Sequence, residues 1–455
     1  MENTQPTNQK PFIRTEIPGE KSRALREEEE KFIADGLQGF ALMAGIAVES
    51  AKGNVVTDVD GNDFLDIIGG IGVGGLGHSH PKFVQAIKNQ VEKISVGSFT
   101  SSPRVEFFKL FDKVKLATLN RVQLYSSGAE AVESALRLAK NKTGKYELVS
   151  FSGGFHGKTQ GVLALMGSDF KKTYAPFSPG AHTIPYASCY RCPLNSTYPG
   201  CGLACVEVGR KYLKDNVSSG VAAFIVEPVQ GTAGNIVPPK DFLPAVKAVA
   251  KEFEALFIAD EMITGFGRTG TFWGSQQSGI VPDIMTMGKQ FGGGYPVSAL
   301  ATTDELVQTR PWGNPSGSSS SYGGNPLASA AAMAALDIIL EENLVENSRV
   351  MGNLFLDKMK PFVDRYSFVG EVRGAGLMLG IELVKDKKTK EPLSKKACEW
   401  LFREFLNKGI LTMSYASSFR IQPSMTIDRE TIENIIAIMF EVFDTMEAKN
   451  IKEML

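Results

Sequence analysis

Lys289 is a lone lysine in Met285-Thr286-Met287-Gly288-Lys289-Gln290-Phe291-Gly292-Gly293-Gly294, between apolar residues and a flexible glycine run. A lysine so placed is either a surface residue snorkelling to water or a partly desolvated amine. In the second case its lowered pKa makes it a nucleophile toward a carbonyl. Asp260 closes the apolar run Leu256-Phe257-Ile258-Ala259 and is followed by Glu261. A carboxylate at the end of a buried strand needs a cationic or hydrogen-bonding partner. Ser126-Ser127-Gly128-Ala129-Glu130 follows the run 122–125 and opens a helical stretch in which Ala131, Ala135, Leu138 and Ala139 share a face. Its free amides and helix dipole suit a phosphate, although Ser-Gly is also a common cap. Phe155-His156-Gly157 offers a flat ring and an imidazole in a glycine-rich loop; a buried aromatic with a satisfied histidine is the competing reading. Phosphate loop, flat ring, buried acid and isolated lysine together describe a ligand with a phosphate, an aromatic ring, a basic ring nitrogen and an aldehyde. Pyridoxal 5′-phosphate has all four.

These residues need a scaffold that gathers distant segments. Between about 120 and 300, short apolar runs at 122–125, 148–151, 221–226, 256–258 and 299–301 alternate with helical stretches. That alternation predicts a mainly parallel sheet covered by helices, with ligands at the carboxyl ends of the strands. Residues 55–68 read as a hairpin about Asp60-Gly61-Asn62. The stretch 328–340 is a helix by composition, continued by helical periodicity from Glu342 to Val363 and linking two domains. From about 366 a strand pair, a charged turn, then helix, strand and helix form an α+β unit.

The chain has 455 residues, 43% hydrophobic and 22% charged, and a net charge of −1 from 49 basic and 50 acidic side chains. It is large enough for two or three domains and excludes disorder or a fibrous repeat. No global field gathers nucleic acid, and no stretch is long and apolar enough for a membrane span. With no secretion signal visible, the expected location is cytoplasmic. Gly70, Gly72 and Gly75 fit a dinucleotide fingerprint, but the run is so rich in glycine that a flexible loop is the stronger reading. Four of the five cysteines crowd together as Cys189, Cys192, Cys201 and Cys205. Structural zinc, an iron–sulfur cluster, disulfides and free thiols all stay open for them, and no residue is assigned as a metal ligand. His78, His80 and His182 read as structural.

In order and spacing, these motifs resemble the class III pyridoxal-phosphate aminotransferases of the fold-type I group, from about Gly36 to Met446. Ser127-Gly128-Ala129-Glu130-Ala131-Val132-Glu133 is similar to the family's phosphate-binding segment, and Phe155-His156-Gly157 to its ring-stacking loop. Glu227-Pro228-Val229-Gln230-Gly231 matches its glutamate strand, Asp260-Glu261 its ring-nitrogen partner, and Lys289 the lysine that condenses with the cofactor's aldehyde. Ser321-Tyr322-Gly323-Gly324-Asn325-Pro326 resembles the stretch that reaches the phosphate of the neighbouring subunit, with Ser321 in place of the usual threonine.

The resemblance implies an α/β, fold-type I architecture: a large domain with a mainly parallel seven-stranded sheet plus a small α+β domain. The expected division is an N-terminal segment 1–70 contributing to the small domain, a large cofactor-binding domain 71–330 and a C-terminal small domain 331–455. It also implies a homodimer with active sites at the interface. The cofactor-binding set is then Ser127, Gly128, Ala129, Phe155, His156, Glu227, Asp260, Met262, Lys289 and Ser321. Asp260 keeps the ring nitrogen protonated, Met262 and Phe155 pack on opposite faces of the ring, and Lys289 moves the proton. Arg420 matches the family's carboxylate-binding arginine, with Glu227 as its partner when no carboxylate is present.

Two departures bear on the substrate. Lys158 stands where aminotransferases for 4-aminobutyrate and acetylornithine carry an arginine, and it offers a second carboxylate only a point charge. Ile263 replaces the family's glutamine, as in many ω-transaminases. The resemblance therefore implies ping-pong transfer from a β- or ω-amino donor, such as 4-aminobutyrate or a β-amino acyl thioester like 3-aminobutyryl-CoA, to 2-oxoglutarate or pyruvate. The runner-up is an amino-acid racemase or epimerase of the same family. A nicotinamide-dependent oxidoreductase is a distant alternative, and it leaves Lys289 and Asp260 unexplained.

Overall fold

The computed structural model describes residues 6–167 and 169–454. The chain divides into two units, Lys82–Val345 and the paired segments Met1–Pro81 and Glu346–Leu455.

The first unit is built on seven strands: β1 (Arg121–Tyr125), β2 (Glu147–Phe151), β3 (Ala181–Ile184), β4 (Val221–Val226), β5 (Leu256–Asp260), β6 (Ile284–Met287) and β7 (Ser298–Thr302). They lie in the order β1-β7-β6-β5-β4-β2-β3. Only β7 runs antiparallel to its neighbours. Five strands were foreseen from the apolar runs; β3 and β6 are the additions, each of four residues and too short to show a period. All six residues of β4 are buried, as a strand covered on both faces requires. Alternate side chains serve opposite layers. Phe224 and Val226 join Val206, Leu213, Phe242 and Val246 in one core, while Ala223 and Ile225 join Ala131, Ala135 and Leu138 in the other. The latter three project from helix α1 (Gly128–Thr143), which confirms the face read from their spacing.

The second unit contains two four-stranded sheets. Strands Val55–Asp58 and Asp63–Asp66 form the foreseen hairpin, flanked by Val48–Lys52 and, in parallel, by Ile410–Leu411. Strands Val369–Ala375 and Met378–Asp386 pair antiparallel, with Ser418–Ile421 added on the far side. The glycine run takes the loop reading. Residues Gly69–Gly72 make a single bent turn, and no longer helix begins until Pro81. Gly69 has φ +55°, and a β-carbon there would lie 2.5 Å from the Gln422 carbonyl oxygen. The run is thus a close backbone contact with 422–425, sealed by bonds from Gln422 N to Ile67 O and from Met425 N to Gly75 O. Among the described residues, no helix is long and apolar enough to cross a membrane.

Candidate active site

Because β1, β2, β4, β5 and β6 are mutually parallel, their carboxyl ends share one edge of the sheet. The residues singled out above follow those ends: Ser127 after β1, Phe155 and His156 after β2, Glu227 after β4, Asp260 at the end of β5, and Lys289 after β6. The fold therefore assembles them from segments more than 100 positions apart, as open α/β sheets do at their carboxyl edge.

Asp260 is 2% exposed and accepts three hydrogen bonds. His156 Nδ1 lies 2.7 Å from Asp260 Oδ2, while Met262 N (3.1 Å) and Thr286 Oγ1 (3.0 Å) donate to Oδ1. Burial pushes the His156 imidazole toward its neutral form, but the Asp260 carboxylate outweighs it and the pKa is raised. His156 Nε2 is buried with no protein partner. Glu227 is buried beside this pair, its oxygens accepting from Phe155 N and Gly231 N, each at 2.9 Å. Desolvation raises its pKa, opposed by His156 and reinforced by Asp260. Glu227 thus ties the loop that carries Phe155 to its own turn. Glu261 serves packing, accepting from Gly274 N and Ser275 N at 2.9 and 2.7 Å.

Ser127 caps α1, its hydroxyl accepting from Glu130 N at 3.3 Å, and Glu130 reaches back to Ser126 N at 2.9 Å. The amides of Gly128 and Ala129 belong to the first turn and have no partner within the helix. Beside them Ser126 Oγ is buried without a protein partner. Ser298 on β7 anchors this end by donating to Ser127 O at 2.6 Å. Met262 fills the space that two glycines leave. A β-carbon on Gly128 would sit 3.0 Å from its sulfur, and one on Gly288 2.2 Å. Lys289 itself holds φ +50°, a left-handed conformation uncommon outside glycine and characteristic of functional sites.

Lys158, Ser321 and Arg420 complete the predicted set. Lys158 is exposed, with its ammonium 4.7 Å from the centre of the Phe170 ring. Ser321 and Tyr322 are exposed. Arg420 is in the other unit, on strand Ser418–Ile421, where its backbone pairs with Gly380. Thr286, Ser298 and the orphaned Ser126 hydroxyl were not foreseen. Thr286 and Ser126 had only their position as a signal, three residues from Lys289 and one from Ser127, and Ser298, nine residues past Lys289, had none.

A phosphate at the first turn of α1 would meet free amides and the Ser126 hydroxyl, and a flat ring would meet Met262, His156 and Asp260. A planar phosphorylated aldehyde fits these residues.

Residues 40–443 match the family model for class-III aminotransferases. A leucine/methionine racemase of Thermococcus litoralis is 33% identical over 86% of this chain and 88% of its own length. A 5-aminovalerate aminotransferase of Pseudomonas aeruginosa is 32% identical over 90% of this chain and 96% of its own. Among solved structures, an amine transaminase of an uncultivated Pseudomonas species in its PLP-bound form superposes with a TM-score of 0.84 at 28% identity, covering 91% and 98% of the two chains. With a matching family model over most of its length, this chain belongs to the class-III aminotransferases.

Proposed function

We propose that this chain uses pyridoxal phosphate, held at Lys289, Asp260 and the first turn of α1, to move the amino group of an ω-amino acid to a 2-oxo acid. When bound, that cofactor supplies an aldehyde and an electron-withdrawing ring that draws electron density from the carbon being deprotonated. The chain's own residues do the rest. Asp260, buried and fixed by His156, Thr286 and Met262 N, offers its carboxyl oxygens where a ring N–H needs an acceptor. The Lys289 amine carries the proton from the donor carbon to its new position. Ser126 and the amides of Gly128 and Ala129 hold the phosphate, and Arg420 grips the carboxylate of either substrate.

The observation that carries this reading is the Asp260–His156 pair on the same sheet edge as Lys289. The donor class is supported by the 5-aminovalerate aminotransferase relative and by Lys158, whose single charge on the Phe170 ring offers no bidentate grip. Racemisation is the second reading, favoured by the Thermococcus litoralis relative. Isotope washout at Cα without production of an oxo acid would select it over transamination.

The homodimer has support in one face of the first unit. Leu327 N donates to Ser95 O at 3.2 Å, joining the segment 94–99 to the start of the helix Pro326–Glu341 that follows Tyr322. That face exposes Ile94, Val96, Tyr322 and Phe99, the last at 88%, a large apolar area for a surface facing water. A second copy covering it would bring Ser321 toward the neighbouring site. The direct test of the whole reading is Lys289→Ala, which should abolish amino transfer while leaving the fold and the oligomer intact.

A further inference from the structure

The glycine run 69–77 is absorbed by none of the chemistry above. It lies in the second unit, as does the segment that follows Arg420. Arg420 is half-buried, but residues 421–427 are all buried, and beyond Ile421 they form neither helix nor strand. Irregular backbone away from water must find partners for its polar groups outside any ladder. Two of those partners come from the run and the residues leading into it: Gln422 N donates to Ile67 O and Met425 N to Gly75 O, each at 2.8 Å. The packing is as close as the bonding. A β-carbon on Gly69 would sit 2.5 Å from Gln422 O, and one on Gly77 3.0 Å from Thr426 Oγ1. The main chain just past Arg420 is thus moulded against the run.

The run in turn is held by a buried carboxylate. Asp66, 6% exposed, closes strand Asp63–Asp66, and its Oδ1 accepts from Ile68 N and Gly69 N at 2.8 and 2.9 Å. Its Oδ2 lies 2.9 Å from His78 Nε2. Asp66 precedes the run and His78 follows it, so their bond ties the run at both ends. A carboxylate this buried is costly unless its oxygens are met, and here both are. His78 is anchored by its own backbone, its N donating to Gly53 O at 2.8 Å and its O accepting from Gly53 N at 3.0 Å. Asn54 carries the tie across to the far segment. Its carbonyl accepts from Asp66 N and its side-chain oxygen from Ser424 Oγ, each at 2.7 Å.

Building on Arg420 as the carboxylate grip, we infer that Asp66 and His78 are positioning residues for it: the pair fixes the glycine run, and the run fixes the main chain that aligns Arg420. Neither side chain needs to touch substrate. A bidentate guanidinium is exacting about angle, so a small shift of its backbone is felt in carboxylate binding.

The test uses the full chain loaded with cofactor, converted to its amino form and mixed in single turnover with 2-oxoglutarate or with pyruvate. His78→Ala should raise the half-saturating oxo-acid concentration by at least about tenfold while the limiting rate stays within about threefold, the split expected when binding alone is weakened. His78→Gln, whose side-chain amide can still donate to Asp66, should recover most of the loss. Gly69→Ala should act in the same direction as His78→Ala, since its β-carbon displaces Gln422 O. In the Arg420→Ala background, His78→Ala should add nothing further. Half-saturation that moves with Arg420→Ala but not with His78→Ala would overturn the inference and leave the grip standing. So would an equal fall in limiting rate and cofactor content, the mark of a merely structural bond, or additive effects in the double variant. No response to Arg420→Ala would sink the grip and the inference with it.

Discussion

Three donors converge on Asp260, and this is what makes a buried carboxylate tolerable at the end of β5. The account expects Asp260→Asn to keep the fold but lower turnover by at least about a hundredfold, since the ring nitrogen loses its ionic partner. A near-normal rate in a stopped-flow assay would place that partner elsewhere. Lys289 and Asp260 were legible in the sequence because an ionisable side chain against an apolar run is costly and asks for a reason. Thr286 was not, since a threonine in a short strand is ordinary until a carboxylate is found 3.0 Å away. Glu227 was expected only through the family resemblance, and its bonds to Phe155 N and Gly231 N depend on two loops whose approach no spacing could give.

Elements set these residues at their separations, and two of them can be probed alone. Gly288 separates β6 from Lys289, and a β-carbon there would meet the Met262 sulfur at 2.2 Å. Gly288→Ala should displace Met262, destabilise the protein by about 1–3 kcal/mol as overpacking does, and weaken cofactor binding, as read by equilibrium dialysis. Unchanged affinity would mean that Met262 does not shape the ring's seat. Glu147 opens β2 and holds the turn before β4. Burial alone would raise its pKa, but His182 and the amides and hydroxyls at Ser218 and Ser219 bring it down to about 2. Its folded pKa lies below the unfolded one of 4.5, so its stabilisation is complete above pH 4.5 and lost as pH falls toward 2. Chemical denaturation between those limits should show a wild-type loss of about 3 kcal/mol that is missing in Glu147→Gln. Parallel slopes would place the acid sensitivity elsewhere. The longer strands and the alanine-rich helix were readable because apolar runs and caps were distinct. β3 and β6 were not, because four residues carry no period.

At the scale of the whole molecule, the exposed apolar segment about Ile94, Phe99 and Tyr322 is the feature that a single chain leaves unexplained. If a second copy covers it, Ile94→Asp with Phe99→Asp should give a monomer by analytical ultracentrifugation and lose most of the activity. An active monomer would confine the site to one chain. Arg420→Ala should raise the Michaelis constant of a 2-oxo acid far more than that of an uncharged amine donor, and equal effects would put the carboxylate elsewhere.

The most direct measurement is a single-turnover experiment in which the cofactor-loaded protein meets 5-aminovalerate, 4-aminobutyrate, β-alanine, ornithine, 3-aminobutyryl-CoA and leucine in turn, with no oxo acid present. The visible band is followed and the product analysed. The account predicts that an ω-amino acid bleaches the band with release of one equivalent of the corresponding aldehyde, and that 2-oxoglutarate or pyruvate restores it. Loss of Cα hydrogen from leucine with no bleaching and no oxo product would contradict it and make this chain a racemase.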